Sequence, residues 1–291
     1  MTPAQLVGLL VKGSIFLTVF SLGLESSFRD LTGLVRKPQQ LVRAIAPIYL
    51  VMPLVAGLLI ALFSHVHPAV KIALFALSVS PIPPLLPKKQ LKAGATASYV
   101  IGLLVAMSLL AIVFVPLLIE IFDRAFPQSV TILPATVAEI VLKVILLPLV
   151  LGVMTHYALP KVAGKAATIL SRVGNILLLL GVLVILVKSL PSILSLIGNG
   201  TVLVAVLFVV IGLVVGHLFG GPDPDDRAAL AVSTVSRHPG MALAIAGVNF
   251  PEQKLSFAAI ALYLLLNTAI TAIYLKKIRK LLDGAGSGSA I

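Results

Sequence analysis

Ser233-Thr234-Val235-Ser236-Arg237-His238-Pro239-Gly240 sets an arginine, a histidine, a proline and a glycine inside a long apolar run. A guanidinium there can hold an anion, and an imidazole can carry a proton near neutral pH. Proline removes a backbone donor and glycine permits unusual φ/ψ, so the pair predicts a broken helix. Val79-Ser80-Pro81-Ile82-Pro83-Pro84 has the same grammar: in both stretches Val-Ser is followed by two residues and then proline. Half-helices starting at such breaks would add free N–H groups and a positive dipole end, which also suit an anion. The candidate ligand residues are therefore Arg237, His238, Ser236 and Ser80, with Asn267 from the last apolar run. Pro81, Pro83, Pro84, Ser233, Pro239 and Gly240 are the residues expected to build the breaks.

Each candidate also has a structural reading. Arg237 either supplies a positive charge to an anionic ligand or pairs with carbonyls that the broken helix frees. His238 either carries a proton or stays neutral and hydrogen-bonded, since a second positive charge beside Arg237 is unfavourable. Asn267 and Asn175 suit hydrogen bonds between helices. Glu139 and Lys143 are four apart on one helix and are expected to pair. Thr96, Ser98 and Tyr99 are candidates for lining a polar cavity. Asp223, Asp225 and Asp226 read as a solvated loop capping a helix. His65 and His67 alone do not make a metal site, and no metal or cofactor is predicted. The absence of cysteine removes thiolate and disulfide chemistry. No nucleophile–base pair or carboxylate dyad stands in the apolar runs, so an enzyme is not expected.

The elements that must position these residues are apolar. Of 291 residues 59% are hydrophobic and 11% are charged, whereas a soluble domain carries about 25% charged residues. Runs of about 20 apolar residues recur from end to end, each long enough to cross a bilayer. The pattern predicts an all-α polytopic membrane protein with nine spans. They lie at roughly 5–25, 40–63, 68–87, 93–121, 133–157, 165–189, 192–219, 226–249 and 253–276. The third and eighth contain the two breaks. Ser26 or Ser27 is expected to cap a short amphipathic helix between the first two spans.

The net charge of +12 does not point to nucleic acid, because the cations lie in short loops. One side holds Arg29 to Arg43, Lys88 to Lys92, Lys161 to Arg172, Arg227 and Lys276 to Lys280. The other holds Lys71, Arg124, Lys188 and Lys254. The positive-inside rule makes the first side cytoplasmic, with the N-terminus outside and the C-terminus inside. The two breaks then lie on oppositely directed helices, as an inverted repeat produces. The repeats would cover about 5–121 and 133–280 of one membrane domain, 1–281. Residues 282–291 read as a flexible tail or an appended linker.

At these residues the chain resembles the bile acid:sodium symporter family. The likeness is carried by Leu22-Gly-Leu-Glu-Ser-Ser-Phe-Arg-Asp-Leu, Arg36-Lys-Pro and Met52-Pro-Leu. It continues through Lys143-Val-Ile-Leu-Leu-Pro-Leu-Val-Leu-Gly152, Ser233 to Ala246, and Asn267. The resemblance implies a panel domain and a core domain, with two unwound helices crossing in the core. Relative to ten-span members, the first helix is missing. Sodium-using members carry Ser-Asn and threonines at the first crossing, where this chain reads Pro81-Ile-Pro-Pro-Leu-Leu-Pro-Lys-Lys. At the second crossing they carry a glutamate, then Gln-Asn and a glycine. Aligning on Gly240 puts Ser233, Arg237 and His238 at the glutamate, glutamine and asparagine positions. These departures from the family pattern imply a transporter whose sodium sites are lost or badly weakened, with facilitated or proton-linked transport expected.

The expected function is a secondary carrier for a small organic anion, working by alternating access. A sodium symporter with a rebuilt site is one alternative, and a non-transporting membrane sensor or scaffold on the same fold is another. The expected partners are the lipid bilayer and an anionic small molecule. The expected setting is a bacterial inner membrane, as a monomer or weak oligomer.

Overall fold

The computed structural model describes the backbone of residues 3–125 and 132–287, with side chains over 5–124 and 132–280. Among the described residues the only regular structure is helix. In the first half, α1 is Pro3–Leu24, α2 Phe28–Leu31, α3 Pro38–Leu62, α4 Pro68–Val79, α5 Leu86–Lys92 and α6 Ala97–Ala125. In the second, α7 is Pro134–Ala158, α8 Pro160–Ser195, α9 Thr201–Phe219, α10 Pro224–Val235, α11 Pro239–Asn249 and α12 Leu255–Ser287.

Seven of these helices (α1, α3, α6, α7, α8, α9 and α12) are long and apolar enough to cross a bilayer. The third and eighth expected spans are the interrupted pairs α4/α5 and α10/α11. Large apolar side chains point outward, among them Leu54, Leu58 and Leu62 on α3 and Ile176, Leu179, Leu183 and Val187 on α8. Apolar exposure on this scale suits lipid rather than water. The chain is an integral, multi-pass membrane protein.

Two helix ends differ from expectation. The sequence puts a boundary at Pro191, but α8 runs through it to Ser195. The turn comes instead at Gly198-Asn199-Gly200, where φ is +134°, +42° and +82°. A proline near the end of a membrane helix frees one carbonyl and can be accommodated, whereas successive positive φ values cannot be helical. α12 runs to Ser287, past residue 282 where the expected tail begins. Residues 288–291 lie outside the described residues. Ser27, not Ser26, caps the short α2: its Oγ accepts from the Asp30 N–H at 3.3 Å, and Asp30 Oδ2 accepts from the Ser27 N–H at 2.8 Å.

Lipid gives little drive for helices to associate, so close packing of small residues must do so. α1 packs along α7 and α8, while α4 packs against α11 and α12, and α9 against α10. At the crossing of α1 and α7, Gly23 and Gly152 meet backbone to backbone. A Cβ on Gly152 would lie 2.8 Å from the Gly23 Cα. Gly102, Gly174 and Gly181 make similar approaches, to Leu34 N, Thr18 Oγ1 and Val11 Cγ2 at 2.6, 2.6 and 2.8 Å.

The expected pair on α7 forms: Lys143 donates to Glu139 Oε1 at 2.7 Å, and both side chains are exposed. An exposed pair of this kind contributes little. Glu139→Gln should therefore leave the melting temperature and ligand response unchanged, as thermal unfolding in detergent would show.

Candidate functional site

The two breaks end their helices in register. α4 stops at Val79 and α10 at Val235, with Ser80 (φ −74°, ψ 144°) and Ser236 (φ −80°, ψ 121°) both extended beyond them. Ser80 precedes Pro81, and a residue before proline is driven out of the helical region. His238 precedes Pro239 and is extended in the same way, at φ −70°, ψ 106°. Gly240 does not supply unusual dihedrals. It is exposed in the first turn of α11, and the positive-φ glycines described are Gly94, Gly198, Gly200 and Gly221. Pro239 opens α11 at its first position, where its missing N–H would have had no helical partner. The restriction before proline thus acts at Ser80 and at His238, Ser236 is extended ahead of Arg237 without it, and glycine makes neither break. The two breaks touch directly: the His238 N–H donates to the Pro81 carbonyl at 2.8 Å.

Arg237 lies at this junction and is 1% exposed. Its Nη1 donates to the carbonyls of Ser80 and Ile48, each at 3.2 Å. Both acceptors are products of proline. The N–H groups that would return to Ser80 belong to Pro83 and Pro84 and do not exist. In α3 the stretch Ala46–Val51 has π-helical register, and the Met52 N–H bonds Pro47 five residues back. The same register would give Ile48 the N–H of Pro53, which also does not exist. Arg237 takes the place of the missing donors. Its Nε and Nη2 are buried and have no partner. The titratable side chains near enough to act on it are Tyr49 and Tyr263. Their hydroxyls are already donated to the carbonyls of Met107 and Val235. No carboxylate is paired with Arg237 among the described residues.

The other expected residues divide. His238 Nδ1 accepts from the Met241 N–H at 3.2 Å and caps α11, while Nε2 is buried without a partner. That cap needs an unprotonated Nδ1, the neutral form. Ser80 Oγ donates back to the Ala76 carbonyl, and Ser236 is buried beside Arg237. Ser233 Oγ accepts from Gln90 Nε2 at 2.7 Å, and the same amide donates to the Ala229 carbonyl. Asn267 is buried, but its Oδ1 finds no interhelical donor. Asn175 is exposed on α8 and makes no interhelical bond, because the helix turns Gly174 rather than Asn175 toward α1. Asp223 caps α10 as expected, accepting from the N–H groups of Asp225 and Asp226 at 2.9 Å. Asp226 is not solvated: it is buried and accepts from Thr96 Oγ1 at 3.4 Å. Thr96 is exposed, Ser98 half-buried and Tyr99 buried, so the three do not line one open cavity.

Three contributors are missed by sequence reasoning. Gln90 stands among lysines and reads as part of a loop, although Leu86 and Gln90 are four apart and share a buried face. Tyr49 and Tyr263 read as ordinary apolar-run residues. The available signal is that a phenol within a membrane needs an acceptor.

A sodium ion needs several oxygen ligands, usually with a carboxylate for charge balance. The crossing offers freed carbonyls but no ion-paired carboxylate among the described residues. Its freed carbonyls at Ile48, Ser80, Pro81 and Val235 each already accept a protein donor, and a guanidinium stands among them. No group of three or more His, Asp or Glu side chains suited to a metal occurs among the described residues.

No match is found among curated proteins. The sequence model of the Sodium Bile acid symporter family matches residues 14–196, which take in the first break and stop before the second. With well over half of its length matched by that model, and with broken helices meeting among apolar ones, the chain belongs to the sodium bile acid symporter family of membrane transporters.

Proposed function

We propose that this protein is a secondary carrier for small organic carboxylates, working by alternating access and without a sodium site at the helix crossing. In this reading α1, α7 and α8 form the panel. The core consists of α3, α4/α5, α6, α9, α10/α11 and α12, giving nine crossings as two inverted repeats. The loop cations favour an N-terminus outside and a C-terminus in the cytoplasm of a bacterial inner membrane.

The observation that carries the proposal is the state of Arg237. Nη1 anchors the guanidinium, while Nε and Nη2 are left without partners. Those two nitrogens form the side-on fork that matches the two oxygens of a carboxylate. Two buried donors without acceptors cost about 1–3 kcal/mol each, and one carboxylate would satisfy both. Arg237 is enclosed in this conformer, so the ligand reaches it only when the helices part.

A static role has one observation in its favour: the partners Arg237 does have are backbone carbonyls. Thermal unfolding of purified protein with a panel of carboxylates, from acetate to cholate, separates the two. The carrier reading expects stabilisation by one or more carboxylates in the parent and none in Arg237→Gln. Equal stabilisation in both proteins, or none across the panel, would favour the static role. In proteoliposomes loaded with the stabilising anion, an inward sodium gradient is expected to leave uptake unchanged. Clear stimulation by sodium would sink the sodium-free mechanism.

A further inference from the structure

The short helix α5 carries polar side chains on two nearly opposite faces. Lys88 and Gln90 are two residues apart, about 200° around a helix. Gln90 is 2% exposed and donates to the Ala229 carbonyl and Ser233 Oγ of α10, both at 2.7 Å. Lys88 points the other way. Its Nζ donates to Ser21 Oγ of α1 at 2.6 Å and stands 3.6 Å from Glu25 Oε2. Ser21 passes the chain of bonds on, donating to the Thr18 carbonyl at 2.8 Å. α5 is therefore held between α10 on one side and α1, with its partners α7 and α8, on the other.

The two attachments differ in kind. Gln90 makes two neutral bonds sealed from solvent. Lys88 retains 14% side-chain exposure and Glu25 46%, so water and salt reach this contact. A charge pair at such an edge exchanges readily with water, whereas a buried amide has no replacement partner.

We propose that Lys88 is a releasable clasp closing the seam between α1 and the broken helices, and that Gln90 is the fixed joint that makes α5 travel with α10. This rests on the carrier reading, in which the two groups of helices part. Opening would break Lys88–Ser21 and Lys88–Glu25 and leave Gln90–Ser233 intact. Lys88 is in this sense a positioning residue for the closed state.

The chain contains no cysteine, so a single reporter thiol can be read without background. Ser21 of α1 is 0% exposed and lies directly under Lys88, and Ser21→Cys is nearly isosteric and leaves the Lys88–Glu25 pair in place. Its maleimide labelling rate, measured without any ligand, reports opening of the seam. Lys88→Met is expected to label roughly tenfold faster, the size of one charge-assisted hydrogen bond. Glu25→Gln should label faster by a smaller factor, and Lys88→Arg at the parent rate. Melting temperatures of these variants should stay near the parent's, whereas Gln90→Leu should lower the melting temperature. Parent-like labelling in Lys88→Met, or a loss of stability matching that of Gln90→Leu, would overturn the clasp. Failure of every carboxylate to stabilise the protein would remove the anion reading but leave the labelling result standing, so the two failures are distinguishable.

Discussion

Arg237→Gln is expected to lower carboxylate uptake by at least about 30-fold while the protein still inserts and folds. The arithmetic follows from the geometry. Removing one partner of a buried, hydrogen-bonded charge pair costs about 2–5 kcal/mol, which is about 30-fold to several thousand-fold in binding. Glutamine keeps an amide donor for one of the two carbonyls that Arg237 now serves, those of Ile48 and Ser80. It also removes a buried cation that has no carboxylate partner, so the fold loses an unfavourable charge together with one anchor. Arg237→Lys is the sharper comparison. An ammonium preserves charge but cannot grip two carbonyls and present a planar fork at once. Uptake near the parent level in the lysine variant would show that charge alone suffices and that the fork has no role. Initial rates in proteoliposomes, normalised to inserted protein, decide the point.

Gly152→Val should be the most damaging single substitution away from the crossing. A Cβ at that position would meet the carbonyl of Phe20 and lie 2.8 Å from the Gly23 Cα. Neither atom is the flexible end of a side chain. α1 would have to move as a whole, and overpacking of this kind costs about 1–3 kcal/mol or more. Gly164→Val on α8 is the control, since nothing lies within 4 Å of its added Cβ. The expected result is a marked fall in melting temperature, or in the monodisperse fraction on size exclusion, for Gly152→Val alone. Equal behaviour of the two variants would mean that the α1–α7 crossing is looser than its backbone contact implies.

Much of this architecture can be read from residue order. Each interrupted helix is announced by its own prolines, and Val79-Ser80 and Val235-Ser236 end their helices in matching conformations. The apolar runs locate the seven long helices because lipid requires a continuous apolar surface over a fixed length. Local conformation is harder to read. Pro191 looks like a helix end and is not, because the turn needs the positive φ values that only Gly198-Asn199-Gly200 supply. Gly240 looks like a hinge and is helical, because His238 before Pro239 has already taken the extended conformation. The partners of the site are hardest of all. Gln90 and Ser233 are joined at 2.7 Å only because α5 folds back against α10, and no periodicity along the chain encodes that approach. Asp226 is buried for a similar reason, since the loop carrying Thr96 closes over it.

The π-helical turn of α3 ties the history of two distant positions together. Because Pro53 cannot return a proton to Ile48, that carbonyl is available to Arg237. A chain with an ordinary residue at position 53 could close its own helix there and would offer the guanidinium one anchor fewer. A cation at position 237 is therefore more tolerable in a sequence that already carries the proline. Conversely, once the arginine is established, the proline stops being a mere irregularity and becomes costly to lose. The two residues constrain one another's substitution without touching, through a single oxygen atom that belongs to neither.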